Sequence, residues 1–270
     1  MRRFALNACG VVAGLAVLTA CGSAAVPGQA APAAPQAATM TDLAHLVSVQ
    51  TATKHTVHMQ FDAHTSAGDI TGTGQADFAA GNSEIAMNMT TPVGDMDMVL
   101  AGSTLYLKPP QGVLHTTKPW VQVDANGTDP VSKALAALVS EEQQTADPSA
   151  ILQQITAAAT IDQVSKEQVA GQPATHYVLT VDTAKLLASK AVTPQLRQLV
   201  SGSGITMPPT ITYDMWVDAD NLPVRFTYSE NVTVRQATTK FTVDMTYTGW
   251  GQPVTIQTPP ADQVGPLPAH

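Results

Sequence analysis

The chain has 270 residues, 13% of them charged, and its 21 Asp and Glu outweigh 13 Lys and Arg for a formal net charge of −8. That sign leaves no electrostatic grip on nucleic acid or on an anionic membrane surface. A charged fraction about half the ~25% of an average globular protein leaves Thr, Ser, Gln and Asn to carry the surface, as suits an extracytoplasmic β-rich domain.

In chain order, residues 1–20 read as a secretory signal peptide: Arg2 and Arg3, then an apolar run from Val11 to Leu18, then small residues. The run is too short for a membrane span, which needs about 20 apolar residues. Leu18-Thr19-Ala20-Cys21 has the form of a bacterial lipobox, with Cys21 as the acylated first residue of the mature chain. The alternative is an ordinary signal peptide that happens to contain a cysteine. Cleavage at this point removes Arg2, Arg3 and Cys9, leaving 11 basic against 21 acidic residues, a charge of −10, and no partner for a disulfide. The expected membrane link is therefore lipid on Cys21, where two or more acyl chains at ~0.8 kcal/mol per buried CH2 hold stably. Stability must come from packing, and about 200 folded residues are ample for one core.

Residues 21–39 carry the lipidated Cys21 and then Ala, Pro, Gly, Ser and Gln, too little apolar surface to offset ordering entropy. They read as a disordered tether. From Met40 a short helix is expected, capped by Thr41 or Asp42, with Leu43, Leu46 and Val47 on one face. The folded domain is placed at 40–264 and a C-terminal tail at 265–270.

Within that domain, segment after segment alternates with period two. Val57, Met59, Phe61 and Ala63 alternate with polar neighbours, Ile85, Met87 and Met89 alternate with Glu84, Ala86 and Asn88, and Met96, Met98 and Leu100 face away from Asp95 and Asp97. Tyr177, Leu179 and Val181 repeat the pattern, followed by Ile211, Tyr213, Met215 and Val217. Val224, Phe226 and Tyr228, then Phe241, Val243, Met245 and Tyr247, complete it. Such alternation predicts antiparallel strands with one buried and one wet face. Turn residues at Gly68-Asp69, Gly81-Asn82, Pro92-Val93-Gly94 and Asp220-Asn221 separate them.

Two helical blocks interrupt the strands. Asp129-Pro130 opens a helix with Val131, Ala134, Leu135, Leu138 and Val139 at helical spacing, and Asp147-Pro148 opens another with Ile151, Leu152 and Ile155. A second block carries Leu186 and Leu187, then Leu196, Leu199 and Val200. The order is five or six strands, two helices, two strands, two helices, four strands. Segregated runs of this kind predict an α+β fold, a single curved antiparallel sheet with helices on one face. The apolar space between sheet and helices is either a packed core or a cavity.

Several segments together resemble the LppX/LprA/LprF/LprG lipoprotein family of mycobacteria and relatives. They are Gly102-Ser103-Thr104-Leu105-Tyr106-Leu107-Lys108, Trp120-Val121-Gln122-Val123, Val169-Ala170-Gly171 with His176-Tyr177, and Tyr213 through Pro223. Tyr247-Thr248-Gly249-Trp250-Gly251-Gln252-Pro253 and Pro259 through Val264 follow in order. The resemblance, shared more remotely with LolA and LolB, implies a half-barrel with helices over its concave face and a hydrophobic cavity. That cavity would take acylated lipids or lipoglycans for carriage toward the outer envelope, with an envelope transporter as a possible partner. It implies no catalytic residue and no cofactor. Its cavity lining would be Val57, Met59, Phe61, Met87, Met89, Met96, Met98 and Leu100 on the early strands. Leu135, Leu138, Leu152, Ile155 and Leu187 would add to it from helices, and Met215 and Val217 from a late strand.

Met87, Met89, Met96 and Met98 admit three readings: a pliant lining for acyl chains, plain core, or a thioether site for copper(I). No His or Cys accompanies them, which weighs against copper. His55 and His58, three apart, would point to opposite faces of a strand. Asp218-Ala219-Asp220-Asn221 lacks the Gly and distal Glu of a calcium loop and reads as a β-turn with Asn221 at positive φ. No Gly-x-Ser-x-Gly or phosphate loop is present, so no enzyme is expected. Ser201-Gly202-Ser203-Gly204 is read as a surface loop, or alternatively a lid. Trp216 falls on the polar parity of its strand, which leaves its cover to be found.

Overall fold

The computed structural model describes residues 36–79, 83–114, 116–124, 147–192, 197, 205–234 and 237–266. All lie within one unit, Ala34–His270. The first element is α1, Met40–Lys54, and its cap is Thr39, two positions before Thr41, the nearer of the two caps expected. Asp42 is the third helical residue and closes the box. Its N–H donates to the Thr39 hydroxyl oxygen at 3.1 Å, and its carboxylate accepts the Thr39 N–H at 3.1 Å. Upstream, Ala37 is only 4% exposed, and its N–H donates to the Tyr177 hydroxyl at 3.1 Å. The helix ends at His55, which takes φ 40 and donates its N–H to the Thr51 carbonyl at 2.7 Å. His55 is thus a helix cap, and its Nδ1 lies 2.7 Å from Asp77 Oδ1.

Thirteen strands among the described residues form one sheet. The first six are a meander: β1 Thr56–Thr65, β2 Gly68–Asp77, β3 Glu84–Thr91, β4 Gly94–Ala101, β5 Thr104–Lys108 and β6 Trp120–Asp124. Helix α2, Pro148–Ile155, follows with Asp147 as N-cap, then the hairpin of β7 Ala159–Val169 and β8 Gln172–Asp182. Ala170 at φ 50 and Gly171 at φ 79 form its tight turn. After α3, Thr183–Ala188, come β9 Ile205–Thr206, β10 Thr210–Val217, β11 Pro223–Val234 and β12 Ala237–Thr248, and last β13 Val264–Pro266. The spatial order is β13-β6-β5-β4-β3-β2-β1-β12-β11-β10-β8-β7, with β9 on β11. Every pairing is antiparallel except β13 on β6. The α+β class and the single, mostly antiparallel sheet agree with the sequence reading. The helical block at 131–139 and the segment 193–204, apart from Arg197, lie outside the described residues.

The β1–β12 pairing joins the early meander to the late one, with Met59 opposite Tyr247 and Phe61 opposite Met245. Helix α1 is tied at its start to Tyr177 on β8 and at its end to β1. Between those strands lie four steps, about 19 Å at ~4.8 Å each, and fifteen residues of helix rise about 22 Å. The length of α1 therefore matches the strip of sheet it crosses. The chain after β12 returns along the strand ends. Gly251 donates its N–H to Thr56 O at 2.9 Å, Gln75 Nε2 to Thr255 O at 2.7 Å, and Lys118 Nζ to Asp262 O at 2.7 Å, before β13 covers the edge of β6.

Candidate functional site: the inner face of the sheet

Strand registers align the alternating residues into rows on the face that bears the helices. One row runs Val57, Ala76, Ile85, Leu100, Leu105, Val123; the next runs Met59, Gly74, Met87, Met98, Leu107, Val121. A third carries Phe61, Gly72, Met89 and Met96 on one side of β1, and Met245, Phe226, Met215 and Tyr177 on the other. Glycine in β2 is required by this arrangement. A Cβ on Gly72 would lie 2.5 Å from the Phe61 ring and 2.7 Å from Asn88 O, and one on Gly74 would lie 3.0 Å from Met87 Cγ. Phe61 and Met87 lie across the bare backbone of β2.

Burial then divides the face into two ends. At one end α1 supplies Met40, Leu43, Ala44 and Val47, and α2 supplies Leu152 and Ile155. These pack in one cluster with Val57, Met59, Met87, Met98, Leu100, Met215 and Val217. Met59, Met87 and Met98 are 6%, 9% and 8% exposed, so there the methionines are core. Farther along the same strands Phe61, Met89, Tyr213, Tyr228 and Met245 are partly exposed against the edge of that cluster. Met96, opposite Met89, is also partly exposed but falls outside the cluster. Leu187 is likewise outside; Leu186, one residue earlier on α3, packs against the cluster instead. Leu135, Leu138 and Cys21 lie outside the described residues.

The partly exposed end is aromatic. Ring centroids are 5.5 Å apart for Tyr213 and Phe226, 5.2 Å for Tyr213 and Tyr228, and 5.7 Å for Tyr228 and Phe241. Burial pushes the Tyr213 phenol up to about 12, with the charge of Glu230 adding to the effect. Tyr228 is raised by burial, then by Tyr213 and Glu230. Glu230 itself is raised by burial. At the packed end Tyr247 is raised by burial and by the Asp147 charge, and its hydroxyl has no hydrogen-bond partner among the described residues.

The opposite, outer face is polar, and it supplies the cover for Trp216. His176 stacks on the indole at 4.2 Å with planes 6° apart, and the Arg225 guanidinium sits 5.1 Å from the ring. Trp216 Nε1–H donates to Glu167 Oε2 at 2.8 Å, leaving the residue 9% exposed. His176 spans Glu167 and Asp214, 2.7 Å from each, and Arg225 Nε donates to Asp244 at 3.0 Å. Three open depressions of 460–470 Å³ are lined largely by polar residues such as Gln60, Thr73, Asn88 and Asp97, or His64, Asp214 and Asp244. Among the described residues, no three His, Cys, Asp or Glu side chains are grouped to hold a metal ion, and no helix is long and apolar enough to cross a membrane.

No protein-family model matches this chain. An uncharacterized 31.2 kDa protein of Streptomyces griseus, from the rplA-rplJ intergenic region, is 27% identical over 146 residues. The match takes in 53% of this chain and 47% of that protein, so the chain spans about half the length of the curated relative it matches. Among solved structures, MucB in complex with MucA(peri) overlaps with a TM-score of 0.38 at 14% identity, covering 82% of this chain and 60% of that one. MucB alone gives 0.38 at 13% identity, covering 86% and 62%. Likeness at this level says nothing of what the chain binds.

Sequence reasoning missed Glu230, which shares the inner parity of Phe226 and Tyr228 and sits opposite Phe241. The signal was there: a carboxylate breaking an otherwise apolar alternation. It also missed the His176, Glu167 and Arg225 setting of Trp216, which needed the strand order to appear.

Proposed function

We propose that this protein is an extracytoplasmic lipoprotein, anchored through acylated Cys21, that holds an acylated lipid or lipoglycan on the inner face of a half-barrel sheet. It carries that lipid across the cell envelope and performs no chemistry. The reading is carried by one observation: Phe61, Met89, Tyr213, Tyr228 and Met245 form a partly exposed apolar strip continuous with the core. The resemblance of the ordered segments to lipid-carrying lipoproteins points the same way. Taking a 16-carbon chain from a bilayer costs on the order of 13 kcal/mol, so a cargo with two or three chains needs an apolar surface far longer than one side chain. Thr, Asn and Asp depressions on the outer face cannot offer it. The packed methionines favour a second reading, a surface lipoprotein with a filled core that acts through a protein partner.

The deciding test is residues 22–270 exported from an actinobacterial host, purified without detergent and analysed by native mass spectrometry. Near-stoichiometric acylated lipid is expected. A clean apo mass that is unchanged after incubation with host lipid extract would favour the filled core. Met98→Asp is a poor probe of loading because Met98 is core; Met89→Asp, at the partly exposed end, is the informative variant.

A further inference from the structure

Glu230 is a carboxylate in the wrong company. On β11 it follows Phe226 and Tyr228 on the inner parity, and its register partner on β12 is Phe241. Its Oε2 is shut off from solvent and has no hydrogen-bond partner among the described residues. No ion pair to it is found among them either; Arg225, on the same strand, has the outer parity and is committed to Asp244. A carboxylate oxygen out of water without a donor is costly, and such a group in a native fold calls for a counterpart. Aromatic rings surround Glu230. Tyr213, Phe226, Tyr228 and Phe241 form a continuous aromatic series with centroids 5.2–6.1 Å apart. Both phenols feel the Glu230 charge, which puts the carboxylate and the aromatic group within one electrostatic neighbourhood.

Aromatic faces attract cations through the ring quadrupole, and a partly buried carboxylate supplies the balancing charge. We infer that Glu230, Tyr213, Tyr228 and Phe241 form a recognition site for an organic ammonium group, the head of an amphiphile whose chains lie along Phe61, Met89 and Met245. This rests on the lipid-holding role proposed for the inner face and names the head-group chemistry that the role selects. A bare metal ion fits less well, since one carboxylate and rings offer too few oxygen ligands.

The test uses residues 22–270 and three detergents sharing a dodecyl chain: dodecyltrimethylammonium, dodecyl maltoside and dodecyl sulfate. Each is titrated below its micelle concentration by calorimetry. The ammonium head is expected to bind about tenfold more tightly than maltoside, with sulfate weakest. Glu230→Gln keeps the shape and removes the charge, so it should bring ammonium down to the maltoside affinity. Phe241→Leu should lower the preference with the carboxylate intact. It also serves if the Gln variant fails to fold. Equal affinity for all three heads, or a preference that survives both variants, overturns the ammonium site while the lipid-holding role stands. Failure of every dodecyl chain to bind overturns the lipid-holding role and the inference with it.

Discussion

The two ends of the inner face are built from the same residue types and behave differently. Met87 and Met89 stand two residues apart on one strand, yet Met87 is sealed in the core and Met89 is not. What separates them is α1. Its capping box fixes the start and His55 turns the chain directly into β1, so the helix crosses the sheet near Val57 rather than near Phe61. A period-two pattern in a strand says which face a residue has. It carries no information about which part of that face another element covers.

Substitutions that break this contrast should rank by where they fall. The largest effect is expected for Leu43→Ala, which empties a fully buried site between α1 and the sheet: about 2–5 kcal/mol lost in denaturant melts. Met89→Ala should cost well under half of that and lower lipid loading instead, since its side chain is partly exposed. Equal losses at the two positions would mean that the ends do not differ. Next comes Gly72→Ala, whose methyl group meets the Phe61 ring at 2.5 Å and the backbone oxygen of Asn88 at 2.7 Å. Overpacking of this kind costs about 1–3 kcal/mol, and Phe61→Leu in the same chain should recover part of it. Thr39→Ala removes the N-cap and should cost about 1 kcal/mol, read as a lower denaturation midpoint with an unchanged slope.

Legibility in the sequence followed the same physics. Strands β1, β3, β4 and β12 could be read because Met, Val, Ile, Phe and Tyr mark their inner positions. Strand β2 could not, because its inner positions are Ile70, Gly72, Gly74 and Ala76, and glycine there records the bulk of Phe61 and Met87 on other strands. The N-cap was misplaced because Thr41 and Asp42 are both good caps, and only the Thr39–Asp42 reciprocity decides. Ala37 looked like linker because its anchor, the Tyr177 hydroxyl, is 140 residues away. Trp216 is out of step in the sequence pattern; its partners His176 and Arg225 come from neighbouring strands whose order no local pattern encodes.

The smallest effect, and the one that sharpens the contrast most, concerns Glu230. Its carboxyl pKa is raised in the folded state from the ordinary 4.5, with burial as the cause. A folded-state pKa above the unfolded value means that the native protein binds the proton more tightly. Glu230 therefore adds no penalty below pH 4.5, and its penalty grows as pH rises to the raised folded value, beyond which it is constant. Glu230→Gln removes that penalty. The variant should match the parent in melts below pH 4.5 and exceed it modestly at neutral pH, the gain held down by solvent around a partly exposed group. A bound alkylammonium ion neutralises the same charge, so saturating dodecyltrimethylammonium should stabilise the parent more than the variant at neutral pH. If the variant is less stable than the parent at neutral pH, the carboxylate already has a partner that favours its charge, and the partly exposed end is no more frustrated than the packed one.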